Sequence, residues 1–93
     1  MLNHEKALCY ADLGIKTCIE AGILDSLSLL YFRKGIAEYH LKRENYKDSL
    51  IKAMHLFEIF GQEKLKKMAI GNCKKFYNID ITQESFIIEK LKP

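Results

Sequence analysis

The chain has 93 residues, 48% of them apolar, with one proline, five glycines and a formal charge of +3. That length bounds it to one small domain with a modest core, and so little proline and glycine leaves no room for a turn-rich all-β fold. No apolar run reaches a membrane span, and the charge is small for a dedicated nucleic-acid binder. The opening MLNHEKAL lacks the basic-then-apolar order of a secretory signal, and three cysteines (Cys9, Cys18, Cys73) without a framework suit a reducing compartment. A cytoplasmic protein is the expectation.

The first helix is expected from about His4 to about Ala21, with Asn3 as its amino-terminal cap. Leu8, Ala11, Ile15, Cys18 and Ile19 recur at three- and four-residue steps and give one apolar stripe, with Ala7 and Gly14 beside it permitting close approach of a neighbour. Gly22 fits the left-handed stop, and Asp25 or Ser26 starts the next element. The second helix, about Ser26 to Leu41, is apolar over most of its circumference and is expected between neighbours, with Arg33, Lys34, Glu38 and Lys42 as a narrow polar edge.

After the turn KREN, Asn45 caps a third helix that runs through about Phe60, with Asp48 complementing its dipole. Tyr46, Leu50, Ala53, Met54, Phe57 and Phe60 follow the helical period, and Gly61 ends the element. A fourth helix, about Gln62 to Tyr77, buries Leu65, Met68, Ala69, Cys73 and Phe76 and turns Lys64, Lys66, Lys67, Lys74 and Lys75 outward. A short last helix follows, capped by Thr82, with Phe86, Ile87 and Leu91 on its apolar side. Loops of two to five residues make successive helices antiparallel neighbours.

The chain also repeats faintly. With Ala7 set on Ser49, an offset of 42 residues, Leu8 meets Leu50, Ala11 meets Ala53, Ile15 meets Phe57 and Ile19 meets Gly61. The hairpin from Ser26 to Gly61 carries a small residue in mid-first-helix, Gly35, then Tyr39, then Tyr46 before the second helix and Ser49 three positions on. These residues resemble a tetratricopeptide repeat, in a degenerate form: the turn is longer, Ser49 stands where the family has alanine, and the closing proline is missing. Over about residues 3–79 the chain is similar to the C-terminal repeats of cytosolic peptide-pheromone receptors of Gram-positive bacteria, the Rgg/Rap/PlcR type.

The resemblance implies an all-α fold of antiparallel hairpins stacked as a short tetratricopeptide-like solenoid with a C-terminal capping helix. It also implies a non-enzymatic module that binds a short peptide or partner protein on its concave face, within a bacterial transcriptional regulator. Many such receptors carry an amino-terminal helix-turn-helix. No such module is visible here, so the chain reads as two last repeats plus a cap. On that face Arg33 is the candidate partner of a peptide carboxylate, Tyr39 and His40 of a peptide backbone, and Asn72 of either polarity. Each also has an ordinary role, as surface charge, core aromatic or polar helix residue.

Other chemistries find little in the residues. His4, His40 and His55 with the three cysteines form no metal-ligand spacing, so neither metal nor cofactor is expected, and the cysteines read as small buried hydrophobes. Ser26, Ser28, Ser49 and Ser85 fit caps or packing, and there is no glycine-rich phosphate loop or nucleophile elbow, so no catalytic residue is assigned. The lysine face of the fourth helix (Lys64, Lys67, Lys74, Lys75) is read as solvated, with nucleic-acid binding through it as the third and least favoured function. The apolar flank of the first helix, or Phe86, Ile87 and Ile88 of the last, is expected to pair in a homodimer, and a purely structural dimerisation or adaptor role is the alternative function.

Overall fold

The computed structural model describes residues 3–79. Among these the regular structure is wholly helical: α1 (His4–Ala21), a 3-10 turn (Leu24–Ser26), α2 (Leu27–His40), α3 (Tyr46–Ile59) and α4 (Glu63–Tyr77). The helix expected after Thr82, with Phe86, Ile87, Ile88 and Leu91, lies outside the described residues.

Local chemistry accounts for the element ends. Asn3 is extended, and its side chain accepts the Lys6 N–H at 3.0 Å, as the cap of α1 should. Gly22 closes the helix in the left-handed region (φ 74°), where the Gly22 and Ile23 amides reach back to Ile19 and Cys18. Gly61 (φ 65°) and Asn78 (φ 54°) stop α3 and α4 by the same conformation. The cap expected at Asn45 is not made. Its backbone (φ −76°, ψ 4°) is already close to helical, which carries the side chain away from the amides it would serve, and Ser26 behaves likewise.

Contacts fix the packing register. His4 meets His40, Asp12 meets Lys34, and Gly14 lies under Leu30, so α1 and α2 run antiparallel. Gly35 faces Leu50, Glu38 faces Ser49, and Tyr39 faces Tyr46, so α2 and α3 do the same. A Cβ on Gly35 would stand 2.7 Å from Leu50 Cδ2 and 3.2 Å from the Leu50 amide nitrogen. The missing side chain is what lets α3 come this close. Between α2 and α4 the pairing is parallel. Ser28 Oγ donates to Gln62 Oε1 at 2.6 Å near their amino ends, and the Tyr39 hydroxyl donates to the Tyr77 carbonyl at 3.4 Å near their carboxyl ends.

The core lies on the α2–α3–α4 side: Phe32, Leu50, Ile51, Ala53, Phe57, Ala69, Cys73 and Ile79 form one buried cluster. Full burial of a side chain such as Leu50 or Phe57 contributes about 1.5–3 kcal/mol. Of the four aligned pairs of the internal repeat, Leu8/Leu50, Ala11/Ala53 and Ile15/Phe57 are buried and Ile19/Gly61 is exposed.

Several expected positions come out differently. Glu38 is not on a polar edge: it is buried because Ser49 of α3 donates a hydrogen bond to its carboxylate. Ile19, Phe60, Met68 and Phe76 were expected on apolar faces and are exposed, since no described neighbour covers those sectors. Cys9 is exposed and Cys18 half-buried, so only Cys73 is a buried hydrophobe, its thiol pushed up to about 11 by burial.

Candidate functional site

Because α2 is held between α1 and α4, its outward side becomes the floor of a groove with those two helices as walls. The groove encloses about 630 Å³, within the range of small-ligand and peptide pockets. His4, Ala7, Tyr10 and Ala11 form one wall, and Asn72, Phe76 and Tyr77 the other. Leu30, Phe32, Arg33, Ile36 and Ala37 form the floor. Small residues on α1 (Ala7, Ala11) and α2 (Ala37) leave the space, and the exposed aromatics Tyr10 and Phe76 stand at its rims.

Arg33 is the one permanently charged residue among these. It is exposed, and no ion pair or hydrogen bond engages it among the described residues. Its neighbour Lys34, by contrast, points to α1 and meets Asp12 at 2.7 Å, a bond that raises the affinity of the amine for its proton. Asn72 is half-buried in the opposite wall and its amide makes no hydrogen bond among the described residues. A cation on the floor and a two-way amide on the wall, set in an apolar trough, suit an apolar chain that carries one carboxylate.

The other two candidates lie elsewhere. Tyr39 and His40 border a second hollow of about 460 Å³ with Lys42, Arg43, Glu44 and Tyr46 at the α2–α3 turn. They touch the groove only through its end: the His40 ring is 5.0 Å from Tyr77 and stacks on His4 at 4.1 Å. Burial and then the charge of His4 hold His40 below the ordinary histidine value. The four predicted residues therefore do not make one site; Arg33 and Asn72 do share one.

No family model, curated protein or solved structure matches this chain.

Sequence reasoning missed His4, Tyr10, Phe76 and Tyr77 as groove residues. A signal was present. Ala7 and Ala11 on α1 are small residues one turn apart with Tyr10 between them, a pattern that leaves space beside a neighbouring helix rather than filling it. Among the described residues no three His, Cys, Asp or Glu side chains come together as a metal site, and no helix is long and apolar enough to cross a membrane.

Proposed function

We propose that this chain is a non-enzymatic module that binds a peptide or partner-protein segment in the groove between α1 and α4, the segment being apolar with a carboxylate set against Arg33. The observation that carries the reading is an apolar trough whose one permanent charge has no partner among the described residues. The parallel α2/α4 pair and the matched burial of α1 and α3 support a tetratricopeptide-like arrangement of two hairpins, and with it a place in a cytosolic bacterial regulator.

Fluorescence anisotropy tests it with a labelled pool of short apolar peptides, ending either in a free carboxylate or in an amide. Arg33→Gln is expected to weaken binding of the carboxylate pool by about tenfold to hundredfold, the range of a charge-assisted hydrogen bond, and to leave the amide pool unchanged. Equal affinity in the variant, or no binding of either pool, overturns the reading.

One observation favours a second reading, self-association. Ile19, Ile23, Leu24, Ile59 and Phe60 are all exposed at the end of the molecule where α1 and α3 finish and α2 and α4 begin. A second copy seated there would remove them from water. Concentration-dependent scattering mass that Ile59→Lys abolishes would support a dimerisation module.

A further inference from the structure

We propose that His4 and His40 form a proton-controlled latch between α1 and α2, and that placing a proton on both rings releases the first turns of α1. The rings stack face to face, with centroids 4.1 Å apart and planes within 11°. This is the one aromatic contact that joins α1 to another helix among the described residues. Two neutral imidazoles, or one neutral and one charged, can share such a stack. A second charge on the stack is opposed, because two imidazolium rings in face-to-face contact repel each other.

The surroundings do not offset that repulsion. His4 opens α1, so a cation there stands at the end where the helix dipole already presents positive charge. From α1 the adjacent carboxylate is Glu5, and it is turned to Arg43 at 3.6 Å. From α2 comes the phenol of Tyr39, edge-on at 5.7 Å, and from α4 that of Tyr77, edge-on at 5.0 Å. The α2–α3 turn contributes Lys42, Arg43 and Glu44, the last turn of α4 contributes Lys74 and Lys75, and the first turn of α3 contributes Tyr46 and Asp48. None of these carboxylates draws a proton onto His40, on which only burial and His4 act.

The sign follows from linkage. A histidine held below the ordinary 6.5 binds its proton more tightly in the released state than in the latched one. The latch is therefore complete above that pH and weakens as the pH falls through it toward the lower value of the docked ring. Ties further along are spared: the Asp12–Lys34 pair lies two turns on, and beyond it Gly14 sits under Leu30 and Ile15 is buried. The response is thus a local opening rather than unfolding. His4 and Tyr77 line the end of the groove. An effect on a bound segment rests on the groove reading above; the latch itself does not.

The test is an NMR titration of the two imidazole Cε1–H signals in the full chain, with hydrogen exchange of the Ala7–Ala11 amides measured alongside. Protection of these amides, after correction for intrinsic rates, is expected to fall at least tenfold between pH 7.5 and pH 5 while α3 is unchanged. In His4→Phe, which keeps a stacking ring without a charge, the fall should vanish. In His4→Gln the His40 midpoint should move up. Independent titration of the two rings, or the same loss of protection in His4→Phe, overturns the latch. Measuring the carboxylate-ended peptide pool at both pH values separates the two claims: absence of binding at either pH counts against the groove, while the ring titration still decides the latch.

Discussion

Gly35 shows how one residue type sets the geometry of a pair of helices. Leu50 fills the space where a side chain would stand, and its own backbone amide lies just behind. Gly35→Ala must therefore push a buried leucine and the α3 backbone, with an expected loss of about 1–3 kcal/mol, the range for overpacking a full core. Urea unfolding followed by helical circular dichroism measures it, and an unchanged midpoint would mean that the helices do not meet there. This position is legible in the sequence, since a lone small residue amid large apolar ones marks a crossing. Glu38 is not legible. A charged side chain at helical spacing from Lys34 and Lys42 reads as a solvated edge, and only the arrival of Ser49 from another helix turns it inward. Buried polar pairs between helices leave no periodic trace, because neither member predicts the other's place in space.

For the elements, periodicity and stop signals carry almost all the information. The expected bounds of α1, the start of α3 and the carboxyl end of α4 coincide with those observed, while both ends of α2, the carboxyl end of α3 and the start of α4 differ by one residue. The stops are strong because left-handed backbone is sterically selective. Gly22 has open space around it, so Gly22→Ala should cost only the backbone strain, about 1 kcal/mol or 4–8 °C in thermal midpoint for a chain of this size. Lys42, which bears a side chain at φ 58°, is the natural control. There a glycine relieves the strain, and the midpoint should hold or rise. A fall in Lys42→Gly equal to that in Gly22→Ala would contradict the strain argument. The caps at Asn45 and Ser26 show the limit of such reading. Residue type is right at both, but the entering chain is already near-helical, and that depends on the turn before it.

On the scale of the whole molecule, the groove follows from α2 and α4 running parallel beside each other, a pairing that residues far apart in sequence create. Gln62 holds the amino-terminal end of that pair: it accepts from Ser28 and donates to the Asp25 carbonyl at 2.9 Å. Gln62→Ala is expected to remove about 1–2 kcal/mol of stability, in the range for paired polar groups. Loss of hydrogen-exchange protection should concentrate in the first two turns of α4, and a loss spread evenly over all helices would show that the tie is not local. Of the candidate site, the sequence revealed the charge and the amide, Arg33 and Asn72, because polar residues on apolar helices stand out. It hid the aromatic rims. Phe76 reads as core until the structure shows that nothing in the described residues covers it.

The notch at Gly35 also governs how the molecule can deform. With Leu50 keyed into it, α3 cannot slide along α2 by a turn, so the hairpin they form moves as one body. Of the two walls, α1 packs along α2 from the His4–His40 stack through the Asp12–Lys34 pair to Gly14 under Leu30, whereas the hydrogen bonds that tie α4 to α2 lie at its two ends, at Gln62 and Tyr77. Widening of the trough therefore falls to the middle of α4, against a stiffer base of α1, α2 and α3. Arg33 belongs to that base and keeps its place as α4 moves. On the proposed peptide-binding reading, a segment in the trough would be held to a strict alignment but a loose standard of thickness, so that changing the position of its carboxylate by one residue would matter more than replacing a valine by a phenylalanine beside it.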